Sequence, residues 1–223
     1  MTTILFVRHG ESQANAFLQA NPDHPDLERK MSAIPDTELT EKGHTQAQHV
    51  GEYLAKCFGE KPVRVLTSLY TRTIQTSNPF QKLATKLTCV EHLGMLCEYT
   101  NPKHTLSQEN IDRGITIHTS WDNFLQHVAE FVDLVEDRAQ QSDIPIVVFG
   151  HSLFVSVLMS YIGSQKTFLP QKNELVFRFP NCSISSFEYS EGNWKILNVA
   201  SIAHLPANCV TGTECDFATR FEK

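Results

Sequence analysis

Three short clusters hold the residues best suited to chemistry on an anion: Arg8-His9-Gly10, Thr71-Arg72-Thr73 and Gly150-His151-Ser152. A guanidinium is a planar fork of donors that matches phosphate oxygens, and an imidazole serves as nucleophile, base or acid near neutral pH. A phosphoryl group in transfer spreads charge over three oxygens, so fixed positive charge and positioning do most of the catalysis. Arg8 and Arg72 supply that charge, and His9 and His151 supply the reactive nitrogens. The clusters lie far apart in the chain, so folding must bring them together.

The elements that position them are legible in the apolar pattern. Thr3 to Val7 is an apolar run ending at Arg8, which predicts a buried strand. Val63 to Leu66 predicts a second strand, leading through Thr67-Ser68 into a helix with Arg72 and Ile74, and Thr88-Cys89-Val90 begins a third. Pro145 to Phe149 is a continuous apolar strand that meets Gly150-His151-Ser152, ahead of a helix ended by Gly163. Thr40 caps a helix with Ala47, Val50, Leu54 and Cys57 on one face, and Ser120 caps another from about Trp121 to Arg138. Ser183 to Tyr189 and Trp194 to Val199 flank Glu191-Gly192-Asn193 and read as a hairpin. Strands alternating with helices predict an α/β fold, a three-layer α/β/α arrangement around a mainly parallel central sheet. In such sheets ligands sit beyond the C-terminal strand ends, where Arg8-His9, Thr67-Ser68 and Gly150-His151 would share one rim.

The rest of the composition narrows the setting. The 223 residues, 41% hydrophobic and 20% charged, suit one domain spanning 1–223 with a sizeable core. An irregular excursion is expected over about 20–37, where Pro22, Pro25 and Pro35 fall. With 19 Lys and Arg against 25 Asp and Glu, the net charge of −6 argues against nucleic acid and anionic membranes as partners. No apolar run approaches the length of a membrane span, and no signal peptide is read at Met1 to Phe6, so a cytoplasmic location is expected. Six cysteines at irregular spacings read as free thiols, Cys209 and Cys215 included, and no His/Cys cluster has metal-ligand spacing. No metal and no cofactor are expected. The C-terminal strands offer an edge for a homodimer.

Arg8-His9-Gly10-Glu11-Ser12 after an N-terminal strand resembles the signature of the histidine phosphatase (phosphoglycerate-mutase-like) superfamily. Asp36 to Gly43 with Gln46-Ala47 looks like its D-x-P-L-T-x-x-G-x-x-Q-A segment, with Glu38 in place of Pro. Thr67 to Thr76 is similar to its S-x-x-x-R-A-x-Q-T helix start, and Gly150-His151-Ser152 stands where the family carries its second His. The resemblance covers about residues 3–160. It implies that His9 attacks phosphorus as neutral imidazole, forming a phosphohistidine, while Arg8, Arg72, Asn15 and His151 (as imidazolium) bind the phosphoryl group. By position Glu98 corresponds to the family's general acid, with Glu91 as the nearby substitute, although Tyr99-Thr100-Asn101-Pro102 replaces the G-x-W-E-G often found downstream. A segment at about 99–119, with Tyr99, Lys103, His104, Arg113 and His118, is expected to cover the pocket.

The implied activity is hydrolysis of a small phosphorylated substrate or a phosphoprotein. Mutases of this kind usually carry Trp before the Asn and a Gly-rich segment after it, whereas here Ala14 precedes Asn15 and Phe17-Leu18-Gln19 follows. Three alternatives stand beside it: a phosphoglycerate-mutase-type phosphotransferase, a non-catalytic phospho-ligand binder, and a serine α/β-hydrolase. The last would use Ser152 in an elbow at Val147 to Phe154, with Glu174 or Glu188 and His204.

Overall fold

A computed structural model describes residues 1–21, 36–99, 107–115, 118, 120–167, 169–171 and 179–212. The chain runs β1 (Thr2–Arg8), α1 (Gln13–Ala20), α2 (Glu41–Phe58), β2 (Val63–Ser68), α3 (Thr71–Leu83), β3 (Leu87–Leu93), α4 (Gln108–Asp112), α5 (Trp121–Gln141), β4 (Ile146–Gly150), α6 (Ser152–Gly163), β5 (Ile184–Ser190) and β6 (Asn193–Ser201). The six strands form one sheet in the order β3-β2-β4-β1-β5-β6. β1 to β4 are mutually parallel, and the hairpin β5-β6 adds two antiparallel strands beside β1.

The alternation of side chains along β4 shows why the sheet is covered on both faces. Ile146 and Val148 join a core with Ile4, Phe6, Phe124, Phe131 and Phe154 under α5 and α6. Val147 and Phe149 point the other way, into a core with Val7, Val50, Leu54, Val65 and Phe80 under α2 and α3. This is the expected three-layer α/β/α architecture with its mainly parallel sheet. β1 and β4 pair in a register that sets Arg8 opposite Gly150, so His9 and His151 leave the sheet side by side. Phe6 packs its ring end against Gly150 so closely that a Cβ there would lie 2.5 Å from it.

The helix ends follow the sequence signals. Thr40 Oγ1 accepts from Gly43 N–H to cap α2, and Ser120 does the same from Asn123 N–H to cap α5. Two further helices are capped in the same way, by Ser12 and Ser107, but were not among those expected: α1, which buries no residue fully, and the short α4 within the expected pocket-covering segment. The Pro-containing excursion lies almost wholly outside the described residues, as do Lys103 and His104. Among the described residues no helix is long and apolar enough to cross a membrane.

Candidate active site

The loop after β1 is tied at every amide from Arg8 to Gln13. Arg8 N–H donates to Ser183 O (3.0 Å), His9 N–H to Gly150 O (2.9 Å) and Gln13 N–H to Glu38 O (2.9 Å). Gly10 N–H donates to Thr76 Oγ1 (3.0 Å), Glu11 N–H to Gln46 Oε1 (2.7 Å) and Ser12 N–H to Asn15 Oδ1 (3.3 Å). A Cβ on Gly43 would lie 2.1 Å from Glu11 O, so only glycine lets α2 press against this loop. Behind the loop runs a polar chain. Gln46 Nε2 donates to Thr211 Oγ1 (2.8 Å), Thr211 Oγ1 to Asn181 Oδ1 (3.2 Å), and Asn181 Nδ2 to His9 O (3.1 Å) and Asn15 Oδ1 (3.0 Å).

These contacts fix what each ring nitrogen can do. His9 Nδ1 lies 2.7 Å from Gly10 O, and a carbonyl only accepts, so Nδ1 carries the proton and Nε2 keeps its lone pair. Burial, then the charges of Arg72 and Arg8, hold the imidazole well below its ordinary pKa. The rings of His9 and His151 meet at 5.2 Å. Arg72 Nη2 reaches His151 Nδ1 (3.4 Å), and since a guanidinium only donates, His151 carries its proton on Nε2 and gives it to Ser68 Oγ (3.0 Å). Ser68 Oγ in turn donates to Cys97 Sγ (3.7 Å). Arg8, also buried, donates through Nη1 to Phe179 O.

Glu98 follows the end of β3. Its Oε2 accepts from Leu153 N–H (3.1 Å) in the first turn of α6, and its Oε1 from Tyr99 N–H (3.2 Å). Burial pushes the carboxyl up to about 7, against the opposing pull of the Leu153 N–H and Arg72. Arg72 and Arg8 act on both Glu98 and His9, which places acid and imidazole in one electrostatic environment. Asn15 is the third residue of α1, and its Oδ1 is occupied by Ser12 N–H and Asn181 Nδ2, which leaves the amide nitrogen as the end able to donate outward.

The family model of the histidine phosphatase superfamily (branch 1) matches residues 4–201. The chain belongs to that superfamily. A probable phosphoglycerate mutase (GpmB) of Salmonella paratyphi A is 27% identical over 226 residues, covering 93% of this chain and 96% of that protein. A 2,3-bisphosphoglycerate-dependent phosphoglycerate mutase of Caulobacter vibrioides is 36% identical over 78 residues, but that stretch is 35% of this chain and only 28% of the relative. The fold is similar to that of the alpha-ribazole phosphatase from Shigella flexneri, with a TM-score of 0.61 at 19% identity over 90% of this chain and 96% of that one. It is likewise similar to phosphoglycerate mutase from Bacillus anthracis, with a TM-score of 0.62 at 20% identity over 91% and 94% of the two chains.

Arg8, His9, Arg72 and His151 of this histidine phosphatase superfamily chain thus meet at one end of the sheet, with Glu98 bonded to the helix that follows His151. Two expectations need correction. His151 is a neutral imidazole here rather than an imidazolium, because burial and then Arg72 and His9 hold its pKa well below the usual value. Glu91 is no substitute acid: both its oxygens bind Arg138 (2.7 and 2.6 Å), which keeps it ionised on β3. The serine-hydrolase constellation is not assembled either. Ser152 Oγ has no hydrogen-bond partner among the described residues, and His204 stacks on Tyr53 of α2. Glu188 sits on β5 opposite Thr3, while Glu174 lies outside the described residues, as does Cys215. Among the described residues no group of three or more His, Cys, Asp or Glu is placed to hold a metal ion.

Sequence reasoning missed Asn181, Thr211 and the Leu153 N–H, and gave no role to Thr76, which ends the segment similar to the family's helix start. Gln46 lay in the segment that carried the resemblance, and Ser68 in the expected rim, but neither was given a role. Asn181 is a single polar residue in a turn and Thr211 one in an irregular stretch, and nothing local distinguishes them from loop punctuation.

Proposed function

We propose that this chain is a phosphomonoester hydrolase that works through a phosphohistidine on His9. The observation that carries this reading is the Nδ1–H bond from His9 to Gly10 O, which presents Nε2 as an unprotonated nucleophile beside two buried guanidiniums. Nε2 attacks phosphorus, the bond from phosphorus to the leaving oxygen breaks, and protonated Glu98 gives its proton to that oxygen. In the second step the Glu98 carboxylate takes a proton from water, the hydroxide displaces Nε2 from phosphorus, and inorganic phosphate and neutral His9 are released. Arg8, Arg72, the amide nitrogen of Asn15 and His151 bind the phosphoryl oxygens. His151 exchanges its bond to Ser68 for one to the phosphoryl group, whose negative charge raises the imidazole's proton affinity.

One observation favours hydrolysis over mutase chemistry. α1 runs without a break through Ala14, Asn15 and Phe17-Leu18-Gln19, where a mutase carries its Gly-rich segment. The likeness to a probable phosphoglycerate mutase along 93% of the chain keeps phosphotransfer between phosphoglycerates as the second reading.

The deciding experiment follows phosphate release from p-nitrophenyl phosphate with a chelator present, for the wild type and His9→Ala. Release that resists the chelator and vanishes in His9→Ala is the expected result. Interconversion of phosphoglycerates without phosphate release would establish the mutase reading, and release that survives in His9→Ala would refute the phosphohistidine.

A further inference from the structure

Tyr70 stands at the N-cap of α3, two residues before Arg72, and is fully buried. Its ring is clamped. Arg72 Cζ lies 4.3 Å from the ring centroid, His151 meets the ring edge-on at 5.2 Å, and Cys97 and Ile115 pack against it. Its backbone N–H donates to Ser68 Oγ (3.3 Å), the same oxygen that accepts from His151. The phenol oxygen, by contrast, is shielded from solvent and has no hydrogen-bond partner among the described residues.

A buried hydroxyl left unpaired costs stability, and native interiors keep few of them. Ser152, also buried and unpaired, is a residue type whose short side chain commonly finds local backbone partners at a helix start. Tyr70 has none. Its oxygen lies on the ring axis, so rotating the ring does not move it, and Arg72 and His151 fix the axis itself. Burial first, and the neighbouring Cys97 next, push its ionisation far above the ordinary range, so the group is a neutral O–H donor at any working pH. Arg72, Glu98 and Asp36 also act on it.

We propose that the Tyr70 hydroxyl donates a hydrogen bond to the phosphoryl group held by Arg72 and His151, an additional binding residue within the phosphomonoesterase reading given above. A phosphoryl oxygen, which only accepts, would give that O–H the partner it lacks among the described residues.

Tyr70→Phe removes the oxygen and keeps the ring. The full-length variant and wild type are compared by thermal unfolding without ligand, by calorimetric affinity for inorganic phosphate, and by kcat/KM on p-nitrophenyl phosphate. The expected result is an unfolding midpoint equal to or above that of the wild type, with phosphate bound about tenfold more weakly and kcat/KM reduced at least as much, as for one lost hydrogen bond to a charged group. A lower midpoint would mean that the hydroxyl has a structural partner and would overturn the proposal. So would phosphate affinity equal to that of a wild type that does bind phosphate. A wild type that neither binds nor releases phosphate would overturn the phosphomonoesterase reading along with this one.

Discussion

His9 and Glu98 carry opposite charges when ionised, yet burial shifts both toward the neutral form: His9 well below its ordinary value and Glu98 up to about 7. That is the pairing a two-step transfer needs, a base without its proton and an acid with one. The sign of the pH dependence follows. Glu98 is protonated below about 7 and loses its proton as pH rises through that value, while His9 stays unprotonated throughout. Hydrolysis of an alkyl phosphate, whose departing alkoxide needs a proton, is therefore expected to fall as pH rises above about 7. Glu98→Gln should remove that limb and slow alkyl phosphates far more than aryl phosphates; equal losses on both would refute its role as acid. Arg72→Ala is expected to cost about 3 kcal/mol in the transfer barrier, the scale of one preorganised donor lost, measured as a drop in kcat/KM.

At the scale of the element, α3 holds Arg72 in place but has no side-chain cap of its own, since its N-cap is Tyr70. Asp36 supplies the cap from a distant part of the chain. Its Oδ1 accepts from Thr71 N–H (2.7 Å), and its Oδ2 from Thr71 Oγ1 (2.8 Å) and Arg113 Nη1 (2.6 Å). Arg113 follows α4 and also donates to Leu69 O (2.8 Å), so the end of α4 is pinned to the start of the Arg72 helix. Asp36→Ala is expected to lose about 1–2 kcal/mol in urea unfolding, the worth of a helix cap, and to raise KM. Arg113→Ala should cost less, because that side chain is about one-third exposed and its ion pair is screened.

The same elements mark how far the sequence could be read. β1, β4 and α5 were legible because their apolar residues are continuous or repeat at helical spacing, and burial on both faces of the sheet demands that pattern. α1 was not, because Gln13 to Ala20 buries no residue fully and leaves no apolar stripe to detect. The site residues that end strands or begin helices were legible with them. Asp36 as a cap for Thr71, or Asn181 as a brace for His9, depends on contacts between residues far apart in the chain, which no local spacing encodes.

For the molecule as a whole, neutral buried histidines set the response to acid. His9 and His151 are held well below the ordinary value by burial, His118 is pushed down to about 4, and His204 is lowered as well. The unfolded chain binds protons at these four positions near 6.5 while the folded protein does not, which outweighs the one opposing proton that the folded protein keeps on Glu98 up to about 7, so stability is expected to be level above about 7 and to fall as pH drops from about 6 toward 4. Urea midpoints taken across that range test the sign, and a midpoint that rises on acidification would contradict it.

The place of β1 in the sheet has a consequence for the order of events during synthesis. Its two neighbours are β4 and β5, which begin at Ile146 and Ile184, and the His9 carbonyl is braced by Asn181. The strand that leads to His9 thus waits for partners that lie far later in the chain. A chain that has emerged only as far as α5 carries His9, Arg72 and Glu98 and can pair β2 with β3, but it lacks β4, which joins that pair to β1, and leaves the apolar run Ile4 to Val7 without a partner strand. Such pairing between distant parts of a chain slows folding and prolongs exposure to aggregation. The residues of the proposed site therefore come together only once β4 and the stretch from Asn181 into β5 have emerged to enclose β1.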